Sequence, residues 1–224
     1  MQEIRLINLE DVKKDPQVNI YIQKADEHLG TLGFTEHSFR HSNLVAKIAY
    51  NILSRLGYSE RECELASIAG YLHDIGNVIS RYGHAQTGAN ISLTILERMG
   101  MPYNEVADIV SAIGNHDEKE GRVVNHVSAA LILADKSDVH RSRVRNRDFA
   151  SFDIHDRVNY AVKRSFLRIE KETGIITLEL IIDLMISQVM EYFEIFLSRM
   201  VMCRRAAGFL DTQFSLVINE TRLL

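Results

Sequence analysis

Proline is almost missing from this chain. Pro16 and Pro102 are the only two in 224 residues, and both sit where a segment can begin. A chain so poor in the residue that breaks helices is expected to be helix-rich. Cysteine is equally scarce. Cys63 and Cys203 are far apart, lack CxxC spacing and fall in helical-looking stretches. That excludes a disulfide scaffold and reads as two buried free thiols in a reducing cytosol. Positive charge is not in excess: 26 Lys and Arg face 30 Asp and Glu, a net charge of −4. A general nucleic-acid binder is therefore not expected, and any basic site has to be local. No apolar run approaches the roughly 20 residues of a membrane helix. The polar, mixed-charge start over residues 1–15 does not have the form of a signal peptide. The expected setting is the cytoplasm, with no membrane partner. Neither internal repeats nor low-complexity segments occur. At 46% hydrophobic and 25% charged, the chain can build one full core and one domain with a small appendage.

What is present is periodic. Residues 1–15 read as an extended or irregular lead-in. A helix is predicted over 16–28, with Val18, Ile20, Tyr21 and Ala25 apolar, and Gly30 to Phe34 break it. Thr35 is the predicted N-cap of a long helix to Leu56. Val45, Ile48 and Ile52 form its core stripe, and His37 and His41 lie on the same stripe. Gly57 ends it. Ser59 with Glu62 makes a capping-box pattern for the next helix, which carries Leu65, Ile68, Ala69 and Leu72 and ends at His73-Asp74. Residues 77–83 read as a loop. Helices follow from His84 or Ala85 to Met99, from Tyr103 to Asn115, and, almost entirely apolar, over 126–137.

The character then changes. Residues 138–154 are basic and irregular, with Arg141, Arg143, Arg145 and Arg147 at alternate positions. In an extended segment these would share one side and suit phosphate; a solvated loop fits equally. After a short helix over 155–162, runs at 165–170 and 175–182 read as an antiparallel hairpin. A long helix over 183–207 follows, and 214–218 reads as a third, antiparallel strand. In the long helix Ile186, Val189, Phe193, Phe196, Met200 and Cys203 step by three and four. Such a seam either caps the body or pairs two copies, and a homodimer is the expectation. The fold class is mainly α: a helical body over 1–162, then a small α+β unit over 163–224 that serves as a possible dimerisation element.

Six polar side chains stand on apolar stripes or at the ends of buried helices: His41, His73, Asp74, His84, His116 and Asp135. A lone histidine on such a face is usually a hydrogen-bonded core residue. Six together need mutual pairing or a cation. Mixed imidazole and carboxylate ligation suits Mn, Fe, Zn, Co or Ni. No thiolate belongs to the set, which excludes a structural zinc finger.

With those residues in view, the chain resembles the HD superfamily of metal-dependent phosphohydrolases over about residues 35–140. The family's His-Asp pair matches His73-Asp74, its first histidine matches His41 in His41-Ser42-Asn43-Leu44-Val45-Ala46, and its last aspartate matches Asp135 in Leu133-Ala134-Asp135-Lys136. His84 and His116 match the two extra histidines of two-metal members. His37 is an alternative first ligand, but the context favours His41. The resemblance implies a helical bundle and two divalent ions bridged by Asp74. His41, His73 and Asp135 would complete one ion, and His84 and His116 would hold the other. Paired ions about 3.5–4 Å apart would activate water towards a phosphate. It also implies Lys136 near the substrate phosphate. Asp138, one helical turn from Asp135, reads as a base or histidine orienter or equally as a solvated helix end, and Arg141 and Arg143 read as substrate contacts by their forked cations. His126 and His140 read as non-ligands. Many members have lysine where this chain has Asn77, and the GYP signature of the cyclic di-GMP branch is missing. The expected function is hydrolysis of phosphate esters or anhydrides in a small phosphorylated substrate, a nucleotide. The alternatives are a nucleotide-binding regulatory module with little catalysis and an RNA phosphodiesterase using the arginines.

Overall fold

A computed structural model describes residues 6–223. The part of the expected lead-in over 1–5 lies outside the described residues. The rest of it is not irregular: α1, Leu9–Lys14, is closed by a reciprocal Asn8/Asp11 capping box. Asp15 then caps α2, Pro16–Thr31, with Pro16 in the first turn where its missing N–H costs nothing. Helix α3, Phe39–Leu56, starts three residues later than predicted. Ser38, not Thr35, accepts from the Arg40 amide, and Gly57 at φ 92° ends the helix. Helix α4, Glu60–Leu72, has the Ser59/Glu62 capping box, and His73 is its C-cap. The loop predicted after it opens with a 3₁₀ turn, Ile75–Val78. Helices α5, His84–Arg98, α6, Tyr103–Gly114, and α7, His126–Ser137, follow.

Helix α7 organises the body. Every residue from Val127 to Ala134 is buried. A helix apolar all round must be covered on all sides, and α3, α4, α6 and α9 cover it. Helix α4 lies against the backbone of α3 at Gly70, where a Cβ would come 2.9 Å from the Ala46 Cα. Gly70→Ala should therefore lower stability by about 1–3 kcal/mol, because backbone cannot move aside as a side chain can. Urea unfolding will show it as a lower midpoint at unchanged slope.

The C-terminal part holds α8, Ile154–Ala161, strands β1, Val162–Glu170, and β2, Ile175–Ile182, helix α9, Val189–Phe209, and strands β3, Gln213–Ile218, and β4, Thr221–Arg222. The sheet has four strands in the order β1-β2-β3-β4. The predicted hairpin is present, with Leu167 opposite Leu178. The third strand differs: β3 runs parallel to β2, with Ile176 opposite Phe214. A 21-residue helix spans about 30 Å, enough to return the chain to the starting end of β2 before β3 begins.

Helix α9 starts at Val189, so Ile186 lies in the preceding turn. The apolar seam is used inside the chain. Phe196, Met200 and Cys203 are buried, and α9 packs on α7 and β3. Those three side chains are thus not available to pair two copies. One continuous apolar core runs from Val12 to Ile218, across the boundary expected at 162.

Candidate metal centre

Five segments deliver the six expected residues to one place. His41 lies in the first turn of α3. His73 and Asp74 follow the end of α4, His84 opens α5, His116 follows α6, and Asp135 sits in the last turn of α7. All four histidines are buried, as is Asp74. Donor atoms converge in three overlapping groups: His41, His73 and Asp74; His73, His116 and Asp135; and Asp74, His84 and His116.

Asp74 stands between two histidine pairs. Its Oδ2 is 3.6 Å from His41 Nε2 and 3.2 Å from His73 Nε2. Its Oδ1 is 3.5 Å from His84 Nε2 and 4.0 Å from His116 Nε2. Asp135 Oδ1 completes the first group, 3.4 Å from His41 and 3.6 Å from His73. Within the pairs the facing nitrogens are 3.3 Å apart, His41 to His73, and 3.2 Å apart, His84 to His116.

The protons of these rings are placed by their other nitrogens. His73 Nδ1–H donates to the Gly70 carbonyl at 2.8 Å, His116 Nδ1–H to Ile113 at 2.6 Å, and His84 Nδ1–H to Arg81 at 3.0 Å. Two of these acceptors belong to the last turns of α4 and α6, where carbonyls lack a partner four residues on. A histidine set just past the end of an apolar helix is thereby oriented by the helix itself. His41 Nδ1–H donates instead to Asp138 Oδ2 at 2.7 Å. Four Nε2 lone pairs thus face two carboxylates and one another. That is repulsive unless a cation lies among them. Around an ion with ligands at about 2.1 Å, neighbouring donor atoms stand about 3.0–3.4 Å apart, close to the spacing seen here. The residues fit a divalent metal.

Electrostatics agree. Burial alone would raise the Asp74 carboxyl, but His73 and His37 beside it hold it well below the usual carboxylate range. Burial is likewise outweighed at Asp135 by Lys136, His41 and His73. Both aspartates are charged at neutral pH. Burial holds the His116 ring well below its ordinary value, which leaves its lone pair free. At His73 burial is overcome by Asp74 and Asp135, which push the ring up to about 10. A proton takes a cation's place there when no ion does.

The other expected residues have different surroundings. Asp138 is buried behind His41 and also faces Arg40 Nη2 at 3.1 Å and Arg143 Nε at 3.8 Å. It fixes the His41 ring from behind, on the side away from the converging Nε2 atoms. Lys136 is buried, its ammonium 2.7 Å from Asp135 Oδ2 and 2.9 Å from Glu118 Oε2. It is bound on both sides by carboxylates, so it steadies Asp135 and is not free for a phosphate. The alternating arginines do not share a side, because residues 141–143 form a 3₁₀ turn. Arg143 is buried and ties Glu36 O and Asp138 O together, at 3.1 and 2.9 Å. Arg141 lies over the Tyr160 ring, Arg145 pairs with Asp26, and Arg147 is exposed. The support that an RNA reading drew from a common strip is gone. His126 rests on Tyr58 and His140 on Lys163 O, both outside the cluster.

His37, the alternative first ligand, joins the rim. Its Nε2 is 3.9 Å from Asp74 Oδ2, while its Nδ1–H donates to Thr35 O at 2.6 Å. Asn77, where the family often has lysine, is buried and donates to Asp74 O and Oδ1, each at 2.9 Å. It anchors the Asp74 carboxylate. Three residues were missed from the sequence: Arg81, Glu118 and Arg199. Arg199 Nε donates to Glu118 Oε1 at 3.1 Å. One signal could have exposed Glu118. A lysine in the all-apolar α7 needs counter-charge from a distant segment.

A bundle that closes four histidines and two aspartates around a divalent-metal site defines a metal-binding helical domain. The HD domain pattern matches residues 38–185, from the cap of α3 to just past β2, and the chain belongs to the HD domain family. It is 26% identical over 168 residues to the uncharacterized protein MJ1020 of Methanocaldococcus jannaschii, covering 65% of this chain and 64% of that protein. The chain thus spans under two thirds of that relative's length. It is also similar to the crystal structure of a predicted HD superfamily hydrolase from an uncultured Thermotogales bacterium. There the identity is 24%, with 60% of this chain and 75% of that chain covered at a TM-score of 0.45. Among the described residues no helix is long and apolar enough to cross a membrane.

Proposed function

We propose that this protein is a metal-dependent phosphohydrolase that uses two divalent ions to cut an ester or anhydride bond in a small phosphorylated substrate, a nucleotide by the family resemblance. One observation carries the reading: the two oxygens of Asp74 face two different histidine pairs. A carboxylate so placed suits a pair of ions better than a single one. Bound divalent ions supply activated water at neutral pH and neutralise charge growing on a phosphoryl group.

The chain's own residues prepare that chemistry. Asp138 holds the His41 tautomer that offers Nε2, and Asn77 donates to Asp74 Oδ1. Lys136 fixes the outer oxygen of Asp135, leaving the inner one for a metal ion. Burial of the histidines keeps bulk water from the ligand nitrogens. No side chain needs to act as a covalent nucleophile. The test is protein reconstituted with manganese or iron, analysed for metal and assayed on nucleotides, dinucleoside polyphosphates and phosphomonoesters. About two ions per chain and turnover of at least one compound are expected. Full metal loading with no turnover on the whole panel would overturn the reading in favour of a nucleotide-binding module.

A further inference from the structure

We infer that Arg81 is the residue that binds the substrate's phosphate, at the His84/His116 side of the metal centre. The inference rests on the phosphohydrolase reading and adds to it a cation that neither the sequence pattern nor the family match assigns. Arg81 lies in the turn between the 3₁₀ segment and α5. Its Nη1 is 3.4 Å from Asn77 Oδ1, 3.4 Å from His84 Nε2 and 3.8 Å from Asp74 Oδ1. The guanidinium lies over the face of Phe34, 5.8 Å from its centroid, and the side chain is 26% exposed. It therefore borders both the cluster and solvent.

Its partners separate it from every other cation nearby. Arg40 pairs with Glu36 and Asp138, Arg145 with Asp26, Arg199 with Glu118, and Lys136 with Asp135 and Glu118. Arg143 is held by Glu36 O and Asp138. Among the described residues, the only carboxylate within 4 Å of Arg81 is Asp74, the bridging ligand itself. Its Nε and Nη2 make no hydrogen bond to the protein there. A metal at His84 and Asp74 takes the same lone pairs that Nη1 now faces. The guanidinium then stands beside a cation and needs an anion shared between the two. A phosphate oxygen provides that, and the planar fork of an arginine can hold two such oxygens at once. Phe34 holds the fork by its face and leaves the edge free.

The experiment is calorimetric titration of inorganic phosphate into manganese-loaded natural protein, Arg81→Met and Arg81→Lys. The hydrogen bond that orients His84 uses the Arg81 backbone carbonyl, so both variants keep it. The expected result is phosphate binding at least about tenfold weaker in Arg81→Met, partly retained in Arg81→Lys, with manganese content and melting temperature unchanged. In turnover assays the same variants should raise KM more than they lower kcat. Equal phosphate affinity in natural protein and Arg81→Met overturns the inference and leaves the phosphohydrolase reading standing. So does a joint loss of phosphate and manganese binding, because Arg81 then serves only to build the metal site. No phosphate binding by the natural protein, together with no turnover, overturns both.

Discussion

Asp74→Asn is expected to leave the protein with fewer than about one ion per chain and to lower turnover by more than about 100-fold. Residues that only orient a ligand typically change affinity or activity by about 10–100-fold, and Asp74 is placed as a ligand shared by two groups. Asparagine keeps the volume but offers one neutral oxygen and one N–H pair. Whichever way it turns, an amide N–H faces either the His41/His73 pair or the His84/His116 pair, where Asp74 presents an oxygen to each. The charge is lost as well. Among the described residues, Asp74 and Asp135 are the two carboxylates that join the four histidines in these groups. Elemental analysis after dialysis against manganese measures the first effect, and the panel assay measures the second. A thermal measurement separates both from simple misfolding. Manganese at 100 times its dissociation constant stabilises a folded protein by about 2.7 kcal/mol. The natural chain should show that rise in melting temperature over its chelated form, and Asp74→Asn should melt at the same temperature with and without the metal. An unchanged metal-induced rise in the variant would show that Asp74 is not a ligand.

Much of this site can be read from residues alone, for a reason that also marks where such reading stops. A histidine at 41, 73 or 116 interrupts an apolar stripe that a helix must bury, and burial without a partner is costly. The interruption is visible locally. So are the ends of α3 and α4, because Gly57 and the Ser59/Glu62 box announce them within a few residues. Asn77 is visible as a departure, but not its bonds to Asp74, which depend on the 3₁₀ turn that folds it back. The C-terminal unit is less legible. Strand character at 214–218 is local, whereas its direction depends on how far α9 carries the chain, so an antiparallel reading was as natural as the parallel arrangement observed. The seam of α9 is equally ambiguous. Periodicity reveals an apolar face, and only the unmet need of α7 for cover decides that this chain supplies it. Charges are the hardest. Alternation at 141, 143, 145 and 147 suggests a shared face, but the 3₁₀ turn leaves Arg141, Arg143 and Arg145 on different partners and Arg147 in solvent.

Lys136 is the case where that ambiguity has the largest consequence for stability. As a phosphate ligand it would be dispensable to the fold, whereas as a buried link between two half-buried carboxylates it is not. Its ammonium lies 2.7 Å from Asp135 Oδ2 and 2.9 Å from Glu118 Oε2, and Glu118 in turn receives Arg199 from α9. Lys136→Met keeps the stem and removes the charge. Breaking a fully buried ion pair by deleting one partner costs about 3–5 kcal/mol; the carboxylates left here are partly exposed and Glu118 keeps Arg199, which puts the expected loss at the low end, about 3 kcal/mol. Guanidinium unfolding of chelated protein at pH 7 should show a loss of about that size. The pH dependence identifies its origin. Burial raises the Glu118 carboxyl, but Lys136 and Arg199 outweigh that and hold it far below its ordinary value. A depressed acid contributes stability that is present above its unfolded value of 4.5 and is lost as pH falls towards the folded one. Asp135 follows the same sign from 3.8. The natural chain loses this contribution below about pH 4.5, whereas Lys136→Met has little of it to lose. The gap between the two proteins should therefore be widest at neutral pH and narrow on acidification. Adding Glu118→Gln to Lys136→Met removes the repulsion between the two carboxylates that the ammonium separated, at the expense of the Arg199 pair, and should recover part of the loss at pH 7. A gap that is constant with pH, with no recovery in the double variant, would mean that the lysine contributes packing by its stem and not the charge that ties Asp135 to the C-terminal helix.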